Sequence, residues 1–93
     1  MASLEETLQE RGNRYGRFAD HAAITQELKA TIRRYLGSPE SLEPDQQEAL
    51  DMICHKIGRI ACGDPNYADS WHDIAGYAKL VEDRLNGPTV VNG

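Results

Sequence analysis

The sequence lacks most of the materials that larger folds are built from. No apolar run approaches the roughly 20 residues of a membrane-spanning helix, and the acidic Met1–Glu6 start has no apolar core of the export-signal kind. Neither a membrane span nor a leader is therefore expected. Aromatics are only 6% of residues and runs of β-branched residues are nearly absent, which leaves little from which to build a sheet. There is no basic excess: 10 Lys and Arg face 15 Asp and Glu, a formal net charge of -5. Direct binding of DNA or RNA, which calls for a basic patch, is not expected. Nucleotides held through a metal ion remain open. Cys54 and Cys62, the two cysteines, lie about 12 Å apart along one helix, too far for a disulfide within it. They read as small buried apolar residues in a reducing, cytoplasmic compartment. The three histidines, His21, His55 and His72, and the cysteines lack zinc-ligand spacing. No glycine-rich phosphate loop follows a strand, and no nucleophile stands in triad order.

What is present is helical periodicity. A chain of 93 residues makes one small domain. At this size folding buries only about 60–65% of the unfolded chain's surface, so pairing with another copy is a sensible expectation. Ser3 and Glu6 have capping-box spacing, Leu4 and Leu8 form a one-sided apolar pair, and Gly12-Asn13 should stop this short helix near Arg11. A second helix is predicted from about Ala19 to Tyr35, with Ile24, Leu28, Ile32 and Tyr35 on one stripe and Phe18 off it, packing from the link. Pro44 suits the first position of a third helix, which Gly63 ends after Cys62. Its broad apolar face includes Leu50, Ile53, Ile57 and Ile60, and its polar side runs from acidic to basic, Glu48 and Asp51 first, then His55, Lys56 and Arg59. The last helix carries Trp71, Ile74, Ala75, Ala78, Val81 and Leu85 on one stripe and closes at Asn86-Gly87-Pro88. The expected architecture is all-α: an antiparallel bundle of three main helices plus a short N-terminal helix, with an ordered core over about 3–87, a flexible tail over 88–93, and a second copy able to complete the core.

Chemistry concentrates in Asp69-Ser-Trp-His-Asp-Ile-Ala-Gly-Tyr77. On a helix, Asp69 and Asp73 project from one face about 6 Å apart and repel unless a cation lies between them. Gly76 removes bulk one turn on, where a backbone or flat ligand could approach, and Tyr77 borders the same surface. Structural alternatives stand beside this. If the helix starts at Asp64-Pro65, Asp69 is interior and free to bind metal; if it starts at Ser70, Asp69 is a cap. Asp73 could pair with Lys56 or Arg59 across the helix contact.

The Asp69–Tyr77 stretch resembles the last active-site helix of the MazG-like, all-α nucleoside triphosphate pyrophosphohydrolases. With Arg11-Gly-Asn-Arg-Tyr-Gly16, His55-Lys-Ile-Gly-Arg59 and Gly63-Asp-Pro65, the chain over about 11–86 resembles more closely small phage and prophage proteins allied to them. In the enzymes a Glu-x-x-Glu pair on one helix and a Glu-x-x-Asp pair on the next hold Mg2+, which binds the triphosphate and activates water. The resemblance implies Asp69 and Asp73 for the second pair, at spacing four rather than three, and Glu48 and Asp51 for the first. If the register follows the basic motif instead, His55, Lys56 and Arg59 occupy the first position and meet phosphate directly.

Two functions from different classes follow. One is a phage-type nucleotide-handling protein, either a Mg2+-dependent pyrophosphohydrolase or a relative that only binds nucleotides. Asp69, Asp73, Glu48 and Asp51 would hold metal, Lys56 and Arg59 phosphate, and Tyr77 or Tyr15 the base. His55, near its ordinary pKa, would assist proton transfer or hydrogen-bond phosphate. The other is a non-enzymatic acidic accessory protein that occupies a basic surface of a host or phage protein.

Overall fold

In a computed structural model, which describes residues 3–87 (of Pro39, the backbone only), the chain forms four helices and, among the described residues, no strand. The expected tail 88–93 lies outside the described residues. The helices are α1 (Leu4–Tyr15), α2 (Phe18–Leu36), α3 (Pro44–Cys62) and α4 (Ala68–Asn86), with a 3-10 turn at Pro39–Ser41. The all-α reading holds. No helix is long and apolar enough to cross a membrane among the described residues.

α3 is the hub. It packs against α2 on one side and α4 on the other, while α2 and α4 do not touch, and α1 lies against α2 and α3. Cross-helix pairs show that α3 and α4 run antiparallel: the start of α3 meets the end of α4 through Asp45–Arg84, and Lys56 further along α3 meets Asp73 early in α4. The result is an open layer measuring 46 × 36 × 23 Å.

Local chemistry accounts for the boundaries. The Ser3 hydroxyl accepts the Glu6 amide at 3.1 Å, as capping spacing predicts. The helix then runs through Gly12 and Asn13 to Tyr15 instead of stopping near Arg11. Its stop is Gly16, whose φ of 82° suits glycine. Docking explains the extension, since the Arg14 carbonyl accepts the Asp64 amide at 2.7 Å and ties the end of α1 to the α3–α4 link. A Cβ on Gly16 would overlap the Cys62 carbonyl, so this link lies directly on the end of α3. α3 starts at Pro44 as predicted, with the Gln46 side chain accepting the Glu43 amide at 2.8 Å. α4 starts at Ala68, between the two predicted starts. Asp64 Oδ1 accepts the Asn66 amide at 2.9 Å, which shapes the turn, and Trp71 Nε1 donates to the Pro65 carbonyl at 2.8 Å.

Burial is shallower than the apolar stripes suggest. Ala49 and Cys54 are the only buried hydrophobic residues among those described. Leu4 and Leu8 are exposed, and α1 has no buried residue. On α4 only Ile74 and Val81 of the stripe are half-buried, whereas Trp71 is 55% and Leu85 60% exposed. Both cysteines are free; Cys54 is buried, and burial pushes its thiol pKa up, while Cys62 is half-buried.

Candidate functional site

A concavity forms where the end of α1, the Gly16-Arg17 link, the start of α2 and the second half of α3 meet. It has a volume of about 630 Å3 and is lined by Leu8, Arg11, Tyr15, Arg17, Phe18, His21, His55 and Arg59, with Gly12, Gly16 and Ala19. His55 and Arg59, four residues apart, reach it from one side of α3. Gly58 allows α2 to close the wall, because a Cβ there would come within 2.5 Å of Thr25 Oγ1 and 2.6 Å of His21 Cδ2. That close approach leaves Thr25 Oγ1 buried without a hydrogen-bond partner.

The wall combines aromatic rings with guanidinium groups. Arg59 lies over the Tyr15 ring at 4.1 Å, and Arg14 lies over Tyr67, which meets Tyr15 edge-on at 6.1 Å. His21 Nε2 donates to the His55 carbonyl at 2.9 Å, and the two imidazoles meet edge-on at 4.5 Å. Phe18 opens α2 79% exposed, 6.2 Å from the His21 ring; it stands at the mouth instead of packing into the core. No carboxylate lines the cavity. Arg11 and Arg59 form no ion pair among the described residues, and Arg17 makes only a marginal contact with Asp20 at 4.0 Å. The N-terminus of α2, at the edge of this cavity, has no side-chain cap.

His55 departs from its expected titration. Desolvation, and then the nearby His21, Arg59, Lys56 and Lys29, hold its imidazole down to about 4 instead of near the ordinary value. It is neutral at neutral pH and suited to donating or accepting a hydrogen bond.

The other predicted residues go elsewhere. Lys56 points away from the cavity into the α3–α4 contact, where its buried Nζ lies 2.8 Å from Asp73 Oδ2. That hydrogen bond holds the Asp73 carboxyl below the usual carboxylate range. Asp69, in the first turn of α4, accepts the Tyr67 hydroxyl at 2.9 Å and does not cap the helix. Asp51 accepts the Gln47 amide group at 3.1 Å, and Glu48 is exposed on the surface. Among the described residues no three His, Cys, Asp or Glu side chains are placed to share an ion, so the four carboxylates do not fit a common magnesium cage within one chain. Tyr77 is half-buried beside a shallow, open depression of about 450 Å3 with His72, Asp73, Gly76 and Leu80. A Cβ on Gly76 would meet nothing within 4 Å, so it does not mark a close approach.

The cavity thus unites Tyr15, His55 and Arg59 of the predicted set and adds Leu8, Arg11, Phe18 and His21, which sequence reasoning did not assign. The signal for Phe18 was its position off the α2 stripe, with His21 one turn further along. No curated protein and no solved structure matches the chain. Residues 2–85 match the profile of DUF6378, a domain of unknown function, and the chain belongs to that family.

Proposed function

We propose that this protein binds a nucleotide in the cavity between α1, α2 and α3. The observation that carries the reading is the pair of guanidinium groups, Arg11 and Arg59, without carboxylate partners beside Tyr15 and Phe18. Arginine meets phosphate oxygens with paired donors, and aromatic rings stack on a base. A ligand that is anionic at one end and flat at the other uses both. Neutral His55 adds a hydrogen bond at the same wall.

The likeness of Asp69–Tyr77 to the MazG-like hydrolases and of the basic motifs to phage proteins supports a nucleotide-handling ancestry. Because the carboxylates do not converge, the function proposed is binding, and magnesium is assigned to the ligand's own phosphates instead of to a protein cage. The second reading, an acidic accessory protein on a basic partner surface, draws on the net charge of -5.

A panel of standard and modified nucleoside triphosphates, with and without magnesium, tests the proposal by thermal shift and calorimetry. Binding predicts stabilisation of about 1.4 kcal/mol at ten times Kd, lost in Arg11→Ala and Arg59→Ala. Absence of both heat and stabilisation across the panel rejects it, and pyrophosphate release from any member would extend it to hydrolysis.

A further inference from the structure

His21 is a buried imidazole, 6% exposed, at the wall of the cavity. One edge of its ring is committed to α3. A Cβ on Gly58 would lie 2.6 Å from Cδ2 and 3.1 Å from Nε2, and Nε2 lies 2.9 Å from the His55 carbonyl oxygen. A carbonyl oxygen only accepts, so Nε2 carries the proton, and the neutral ring leaves Nδ1 as a bare acceptor.

Nδ1 lies across the ring, on the edge turned away from Gly58, and has no hydrogen-bond partner among the described residues. Thr25 Oγ1 is the one side-chain polar atom among them that is both unpaired and shut off from solvent. The unpaired Nδ1 therefore reaches open space, and the space that His21 lines is the cavity. The arginines there, Arg11, Arg17 and Arg59, are donors only, and no carboxylate joins them. Nδ1 supplies what they lack, an acceptor whose role the fold has fixed.

We propose that His21 reads the base of the nucleotide, accepting at Nδ1 a hydrogen bond from an exocyclic amino group such as adenine, cytosine or guanine carries. This rests on the nucleotide reading of the cavity. Phe18, one turn earlier on α2, lies 6.2 Å from the His21 ring at a tilt of 55°, so a base stacked on Phe18 presents its edge to Nδ1. An acceptor so little exposed favours a donor that projects beyond its ring, as an amino group does and a ring N–H does not. A base with a carbonyl at that place sets two acceptors against each other, which adds rejection to the lost bond.

Calorimetric titration of the full chain with the triphosphates of adenosine, of purine riboside (adenosine without its amino group) and of inosine (a carbonyl in its place) tests the proposal. Purine riboside triphosphate is expected to bind about tenfold more weakly than ATP, and inosine triphosphate more weakly still. In His21→Phe the affinities should converge to within about twofold, as a coupling between residue and amino group requires. A second readout needs no ligand and no variant: two-bond 1H–15N correlation spectra of the histidine-labelled wild type should show His21 Nδ1 without a proton. Equal affinity for adenosine and purine riboside triphosphates, with binding still lost in Arg59→Ala, overturns this inference and leaves nucleotide binding standing. A proton on Nδ1 and none on Nε2 in the free protein overturns it whatever binds, and no binding by any of these nucleotides overturns both readings.

Discussion

Lys56 and Arg59 are three residues apart on the same helix, but their charges are handled in opposite ways. Lys56 is buried against α4 and closed onto Asp73 at 2.8 Å. Arg59 lies at a cavity wall, spread over the Tyr15 ring at 4.1 Å, with no carboxylate opposite. A cation already satisfied by a partner stabilises the helix contact and has little left for a ligand. A cation resting on an aromatic face keeps its hydrogen-bond donors available. Between them, Ile57 turns to the uncovered apolar side and Gly58 admits α2. Five consecutive residues, His55 to Arg59, therefore supply a cavity wall, an ion pair, an apolar strip and a close helix contact. Proximity in sequence is a poor guide to shared function when the chain is a helix packed on several sides.

Four variants or conditions probe this contrast. The largest effect is expected from Gly58→Val. Its side chain has no room against Thr25 and His21, and overpacking of this kind costs about 1–3 kcal/mol. The denaturation midpoint should fall, and the cavity should lose its ligand as His21 is displaced. Asp73→Asn comes next, because it leaves a buried ammonium without a counter-charge. A drop of about 5 °C in melting temperature is expected, recovered in part by adding Lys56→Met. If the pair is structural, the drop is the same with and without magnesium. A wild-type stabilisation by magnesium that the variant lacks would instead assign Asp73 to a metal.

The third effect comes from pH. His55 is held at about 4 in the folded chain, below the 6.5 of the free side chain. Between these values the unfolded chain binds the extra proton, so stability is full above about 6.5 and declines as pH falls toward 4. With a discount for partial exposure, the loss is about 1–2 kcal/mol, and it should flatten in His55→Gln. A bound phosphate favours the imidazolium, so binding should tighten as pH falls through the same range. Arg59→Ala should disturb stability least, by about 0.5–1 kcal/mol for a half-buried cation–aromatic contact, while weakening ligand binding tenfold or more.

Most of the architecture was legible because its signals are local. Ser3, Pro44 and the period of apolar residues on α2 and α3 mark helices without reference to the rest of the chain. The end of α1 was not legible, because Gly12 looks like a stop until the Arg14 carbonyl is seen to meet Asp64 across the fold. The bidentate Asp45–Arg84 pair, at 2.6 and 2.9 Å, joins residues 39 apart and left no local trace. At the candidate site, the Lys56–Asp73 pair was one of the alternatives weighed in the sequence, and Tyr15, His55 and Arg59, named there among candidates now spread over several faces, line one cavity. The cavity itself depends on how α1 folds back over α3, which brings Arg11 and Phe18 to residues more than thirty positions away. The low value for His55 also arises from that enclosure and from His21, Arg59, Lys56 and Lys29 around it, of which only Lys56 and Arg59 are its neighbours in sequence.

Calorimetric titration of a nucleoside triphosphate into the wild type, Arg59→Ala and Asp73→Asn bears most directly on the contrast between the two sides of α3. The account predicts equal affinity for the wild type and Asp73→Asn, and a loss of at least tenfold for Arg59→Ala. Wild-type affinity in Arg59→Ala, together with magnesium-dependent binding abolished in Asp73→Asn, would move the site to the carboxylate side and contradict it.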